Sequence, residues 1–396
     1  MRWRNGQVVL QDRVAEGWEV AFDPDQGILS YVGPDRGPGI MASSGTLEPE
    51  EDLAGAYVSP GFIDVHVHGG GGADFMDATV EACTRVCEEH ARHGTTSLLA
   101  TTLTASPESL QAAVEAAVQA RQAAGPRPSG ARILGLHLEG PYLSPAHAGA
   151  QDPAFLRAPD REELERLQRL ARGAIRMVTL APELAGAAGV IQWCREQNVV
   201  AVAGHTDATY DQAMQAFVSG VRMCTHTFNA MRGLHHREPG TVGAVLDSPT
   251  VVAQLIADGI HVHPAAVRLL WRIKGPDGLA LITDAMRAEG LRPGTYDLGG
   301  LTVQVDGRSA RLADGTLAGS LLTMEQAVAH VRVFTGAALA QAVRAATWVP
   351  ARVLGLADRY GSLEAGKMAD LVVLSSAWQV QQTVVGGHRV YRRESL

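Results

Sequence analysis

Lysine is nearly missing from this chain. Lys274 and Lys367 are the only two, and arginine supplies the rest of the 34 basic residues. Acidic residues number 42, so the net charge of −8 opposes nucleic acid or an anionic membrane as a partner. Cysteine is also scarce. Cys83, Cys87, Cys194 and Cys224 are too few and too scattered for a disulfide framework. Cys83 and Cys87 stand four apart on a predicted helix face and read as buried small hydrophobes. No apolar run approaches the ~18 residues of a membrane span. The opening MRWRNGQVVLQDR has no apolar signal-peptide core. These absences lead us to expect a cytoplasmic protein.

What is present is ordinary globular sequence, 46% hydrophobic and 19% charged. Its 396 residues exceed the ~250–300 at which single cores stop growing, although an α/β barrel can run long. Apolar, β-branched-rich runs recur at 61–67, 95–102, 132–138, 175–180, 199–203, 221–225, 251–257 and 279–283. Most precede a helical pattern, clearest at 107–123, 160–171, 210–218 and 264–274. Ser106-Pro107 supplies an N-cap and a first-turn proline. Eight strands interleaved with helices predict a (β/α)8 TIM-like barrel rather than an open sheet. Residues 1–57 and 356–396 give only short strand-like pieces, which predict a small β-sandwich domain built from both chain ends. The barrel then occupies 58–355, and the stretch 33–45 (GPDRGPGIMASSG) reads as a surface loop.

The polar residues are informative by position. His66 and His68 close strand 1, Glu139 strand 3, His205 strand 5, His226 strand 6 and Asp284 strand 8. In such a barrel these ends share one rim, where active sites are built. Residues i and i+2 of a strand face one way, ~6–7 Å apart, so both imidazoles of His-Val-His reach one ion. Four histidines with two carboxylates suit a divalent metal, and a bound water with a pKa near ~7 would supply hydroxide. Asp284 is placed to move a proton. His261 also reaches the mouth, whereas His137 reads as a supporting or packing residue and His263 as structural. His90, His93, His235, His236, His330 and His388 read as surface or loop. The four glycines of PGFIDVHVHGGGGADFMD read as a sharp turn beside the site or a flexible loop.

PGFIDVHVHG and GSLEAGKMADLVVL resemble the amidohydrolase superfamily. HLEGPYL, GHTDATY, THTFNAM…REPG, DGIHVHP, ITDAM and LAGSLLTM are similar to the N-acetylglucosamine-6-phosphate deacetylase family, along nearly the whole barrel. That resemblance implies hydrolysis of the sugar phosphate's acetamide by metal-bound hydroxide, in amino-sugar catabolism. The alternative is another N-acetylated sugar or a cyclic amide. It implies Glu139, His205 and His226 as metal ligands, Asp284 as catalytic acid/base and a further metal residue, and His261 as a catalytic electrostatic aid. Ala150, Gln151, Asn229, Ala230, Arg237, His261, Leu317, Ala318 and Gly319 match substrate-contacting positions. Some members carry histidine where Gln151 stands. Some lack both histidines of His-Val-His and bind one ion; His66 and His68 therefore imply a second, sharing Glu139. Many binuclear relatives bridge their metals through a carboxylated lysine on strand 4. IRMVTLAPE has none, which favours the Glu bridge. Zn²⁺ or Fe²⁺ is the expected cofactor. Arg237 would grip the phosphate, and in relatives the equivalent arginine crosses from a partner subunit, so a homodimer is implied.

Overall fold

The computed structural model describes residues 1–41 and 47–394, so residues 42–45 of the expected surface loop lie outside the described residues. Eight parallel strands make the central sheet: β1 (Phe62–Val67), β2 (Thr95–Thr102), β3 (Arg132–Glu139), β4 (Ile175–Leu180), β5 (Val200–Ala203), β6 (Val221–Cys224), β7 (Val252–Ile256) and β8 (Leu279–Ile282). They pair in sequence order from β1 to β8. The seam between β8 and β1 is joined by single bonds rather than a ladder. Asp284 N donates to His66 O at 2.9 Å, and His68 N donates to Ala285 O at 3.0 Å. Buried Asp64 adds a link by accepting from Thr283 Oγ1 at 2.5 Å. Closing the barrel therefore sets the two histidines of β1 beside Asp284.

Helices wrap this barrel, among them the four expected at 107–123, 160–171, 210–218 and 264–274. They include α1 (Val80–Arg92), α2 (Pro107–Ala123), α3 (Arg161–Leu170), α4 (Ala187–Glu196), α5 (Tyr210–Ser219), α6 (Gly240–Asp247), α7 (Pro264–Lys274) and α8 (Met324–Thr335). Ser106 Oγ caps α2 by accepting from Ser109 N at 3.2 Å. Every residue of β1 and β2 is buried, as expected of strands covered on both faces. All four cysteines are buried and unpaired.

The two chain ends meet in one mixed sheet. Arg2–Val9, Val14–Asp23, Ile28–Pro34 and Tyr57–Pro60 come from the N-terminal side, and Leu371–Leu374, Val380–Val385 and His388–Arg392 from the C-terminal side. Tyr57–Pro60 pairs antiparallel with Leu371–Leu374 and so joins the ends. Trp3, Val20, Phe22, Leu29, Val58 and Leu371 give this unit its own core. Arg2 is fully buried there and paired with Glu19.

One element is absent from the sequence-based expectation. Gly294–Leu298, Leu301–Val305 and Ala310–Arg311 form a three-stranded antiparallel sheet after β8. Gly299-Gly300 between two alternating segments is a hairpin signature. Leu298 and Val303 pack with Leu103 and Met286, which sets this sheet over the barrel mouth.

Candidate functional site

The ends of β1, β3, β5, β6 and β8 deliver six ionisable side chains to one point. Glu139 lies at the middle. Its Oε1 is 3.2 Å from His66 Nε2, 3.3 Å from His205 Nε2 and 3.1 Å from His226 Nε2. Its Oε2 is 3.3 Å from His68 Nε2 and accepts from Gln151 Nε2 at 2.7 Å. Asp284 Oδ1 is 3.2 Å from His68 Nε2 and 3.4 Å from His66 Nε2. Three of these residues hold a left-handed backbone uncommon outside glycine: His205 (φ 46°), His226 (φ 23°) and Asp284 (φ 50°). Such strain concentrates at functional sites.

The opposite ring nitrogens decide what the imidazoles can do. Nδ1 of His68 faces Thr101 O at 3.3 Å, that of His205 faces His147 O at 2.9 Å, and that of His226 faces Asn229 O at 3.2 Å. A carbonyl only accepts, so each Nδ1 carries the proton. Nδ1 of His66 lies 2.9 Å from Thr225 Oγ1 and 3.2 Å from Gln254 Oε1. In the neutral rings the Nε2 lone pairs therefore converge. His66 and His68 approach tip to tip at 3.2 Å, and His205 and His226 at 3.1 Å. Bonds of ~2.0–2.1 Å to a tetrahedral metal place neighbouring ligands about 3.3 Å apart. The donor set fits a divalent ion. It divides into His66–His68–Glu139 and Glu139–His205–His226, with Glu139 in both.

The electrostatics agree. Burial pushes Glu139 upward, but the charge of His66 and bonds from His205, His226 and His66 hold it well below the usual carboxylate range. Asp284 is likewise opposed by burial and brought to about 2 by His66 and His68. Burial disfavours charge on His66, yet the charges of Glu139 and Asp284 raise its affinity for a proton. For His68, bonds to Asp284 and Glu139 outweigh burial and raise it well above an ordinary histidine. Burial lowers His226. Two carboxylates thus draw protons onto the β1 histidines, a positive charge that a cation would replace.

A cavity of ≈ 380 Å³ opens over this cluster. Ala150, Gln151, Asn229, Ala230, His261, Leu317 and Gly319 line it, as does Asp284. Ala318 is buried behind the wall, its N donating to Ala310 O at 3.0 Å. Arg237 lies elsewhere: exposed, with Nη1 2.8 Å from His236 Nε2. Among the described residues no arginine or lysine lines the cavity. His137 is buried between Val65 O and Thr179 Oγ1, and His263 caps α7. Contrary to the surface expectation, His90 is fully buried and donates through Nε2 to Gly69 O at 2.9 Å. His93, in the turn after α1, and His330, on α8, are half-buried and hydrogen-bonded.

Several supporting residues escape a reading of strand ends. Asp258 Oδ2 holds Nδ1 of His261 at 2.7 Å, leaving Nε2 for a ligand. His147 contributes a carbonyl and part of the wall. Thr225 and Gln254 anchor His66, and Gln254 was visible as a polar residue inside the apolar run VVAQLIA. Asp64 shares alternation with His66 and His68; burial pushes it up to about 6 against bonds from Thr283 and the His66 N–H.

A (β/α)8 barrel with histidines and carboxylates at its strand ends defines a metal-binding hydrolase of the amidohydrolase type. Residues 57–390 match the model of the amidohydrolase family. The chain is 41% identical to the N-acetylglucosamine-6-phosphate deacetylase of Bacillus subtilis, over 90% of this chain and 92% of that protein. It is 42% identical to the N-acetylgalactosamine-6-phosphate deacetylase of Escherichia coli O157:H7, over 83% and 86%. A solved structure of a mutant Mycobacterium smegmatis N-acetyl-D-glucosamine-6-phosphate deacetylase, in complex with N-acetyl-D-glucosamine-6-phosphate, superposes with a TM-score of 0.90 at 37% identity, covering 98% of this chain and 99% of that one. The chain belongs to the amidohydrolase family, in its N-acetylglucosamine-6-phosphate deacetylase branch.

Proposed function

We infer that this enzyme hydrolyses the acetamide of N-acetylglucosamine 6-phosphate to acetate and glucosamine 6-phosphate, in the cytoplasm, with divalent metal. The observation carrying this is Glu139 among four converging imidazoles with ionised Asp284 alongside. Glu139, His205 and His226 would hold one ion. His66 and His68, sharing Glu139 and flanked by Asp284, would hold a second, with Zn²⁺ or Fe²⁺ suiting both sets. Such an ion supplies Lewis acidity and acidified water when bound.

The chain's own groups do the rest. Asp284 begins ionised, takes the attacking water's proton, and returns it to the departing amine. His261, steadied by Asp258, offers Nε2 to the developing oxyanion, a role worth ~3 kcal/mol in comparable sites. Ala150, Gln151, Asn229, Ala230 and residues 317–319 shape the sugar pocket. The phosphate needs a cation that this cavity's own wall lacks. Arg237 of a partner subunit would supply it bidentately, which makes the working form a homodimer. In this division the barrel, 58–355, carries the chemistry and the chain ends form the accessory domain.

Acetate release should be fastest from N-acetylglucosamine 6-phosphate, with its galactosamine epimer and the unphosphorylated sugar as comparators. Preference for an unphosphorylated sugar or a cyclic amide would overturn this reading.

A further inference from the structure

A second cluster of ligating side chains lies outside the barrel mouth. Glu89 and His93 stand at the end of α1, Glu289 follows β8, and Glu325 opens α8. His93 Nδ1 donates to Glu325 Oε1 at 2.8 Å. Its Nε2 faces Glu289 Oε1 at 3.4 Å and Glu89 Oε1 at 3.7 Å. The carboxylate of Glu289 is 1% exposed, and its Oε2 has no hydrogen-bond partner. Glu325 Oε2 is likewise buried and unpartnered.

These distances separate two readings. A charge-assisted N–H···O bond closes to ~2.7–2.9 Å, as the Glu325 contact does. The other two contacts are too long for that, and they approach the ~3.3 Å edge between ligands sharing an ion at ~2.0–2.1 Å. One ligand atom from each of Glu89, His93 and Glu289 lies within 4.8 Å of the others. With Nδ1 committed to Glu325, His93 turns its Nε2 toward two carboxylate oxygens. Burial disfavours charge on the ring, but bonds to Glu325 and Glu89 with the nearby carboxylate charge outweigh it and raise the imidazole to about 11. A divalent cation at Nε2 would take the place of that proton. Carboxylate–imidazole–metal relays have this form, the outer carboxylate fixing the tautomer. Charge points the same way: three carboxylates face one imidazole, and Arg92, at the rim, reaches only Glu89 at 3.7 Å.

We propose that Glu89, His93 and Glu289 form a further divalent-metal site, with Glu325 orienting His93. One nitrogen and two oxygens suit a Zn²⁺-class ion rather than Ca²⁺ or Mg²⁺. A cleft of ≈ 640 Å³ beside the cluster, lined also by Trp378 and Tyr391, leaves a coordination position for water. The ion would tie α1 to the segment after β8. The Gly69–Asp74 hairpin that follows His68 packs between them: a Cβ at Gly70 would sit 3.0 Å from both Glu289 Oε2 and His90 Nε2.

The full-length protein, stripped with chelator and equilibrated with ZnCl₂, tests this by elemental analysis. Wild type should hold one zinc per chain more than His93→Gln or Glu89→Gln, both of which keep their deacetylation rate. Zinc-loaded wild-type crystals should show an anomalous peak among Glu89, His93 and Glu289. Equal zinc content in wild type and a folded variant, or no peak there, would overturn the proposal.

Discussion

Glu139 shows how much one residue carries here. Its two oxygens touch four imidazoles and the amide of Gln151, so no substitute, even aspartate, keeps every contact. The same geometry makes metal loading a proton exchange. His66 and His68 hold protons more tightly than ordinary histidines because Glu139 and Asp284 outweigh burial. Raised proton affinity means that the protonated forms persist near neutral pH and that metal must displace them. Zinc binding at pH 7 should therefore release about one proton or more, and its apparent affinity should fall as pH falls. Calorimetry in buffers of different ionisation enthalpy reads this directly, and proton uptake on binding would contradict it. The six converging side chains were legible because each ends an apolar run. Their Nδ1 partners were not, since Thr101, His147 and Asn229 contribute main-chain carbonyls that side-chain chemistry cannot reveal.

Among elements, the run Gly69–Gly72 is a packed hairpin rather than a flexible loop. Gly69–Gly70 pairs with Ala73–Asp74, and Gly71 (φ 61°) and Gly72 (φ 91°) make the left-handed turn. A Cβ at Gly69 would meet Ala73 O at 2.5 Å and Arg287 N at 2.8 Å, both backbone atoms. Gly69→Ala should cost about 1–3 kcal/mol in urea denaturation of the metal-free protein. Gly71→Asn, at a φ that asparagine tolerates and where a Cβ meets the Glu89 side chain at 3.2 Å rather than backbone, should cost less. Equal costs would show that the turn, and not the close approach, demands glycine. Barrel strands and helices were readable because buried parallel strands and amphipathic helices differ in run length and period. The sheet of residues 294–311 escaped that reading. Its strands are short, and Gly294–Leu298 is mostly exposed, so little hydrophobic signal marks it. His90 escaped for a related reason. A polar residue on a helix gives no sign that a neighbouring turn will cover it.

At the scale of the whole molecule, both chain ends join through Tyr57–Pro60 and Leu371–Leu374 into one sheet beside the barrel. The sequence made that union legible, because neither end alone holds enough apolar residues for a core. Among the described residues the cavity has no arginine or lysine in its wall to meet a phosphate. Arg237 is exposed and outside its own chain's cavity, which is what a residue serving a neighbour requires. Subunit mixing tests this. Arg237→Ala and Asp284→Asn chains should each be nearly inactive alone. Reassembled in equal amounts, half of the dimers are mixed and each has one intact site, so about a quarter of wild-type activity should return. No recovery would place Arg237 in its own chain's site.

The most direct test of the central claim is acetate release from N-acetylglucosamine 6-phosphate during metal titration of the chelated protein. Turnover should be absent without metal and rise to saturation as Zn²⁺ or Fe²⁺ is added. Asp284→Asn should remain at least ~10²-fold slower at saturation. Full activity in the chelated protein, or a near-wild-type rate for Asp284→Asn, would contradict it.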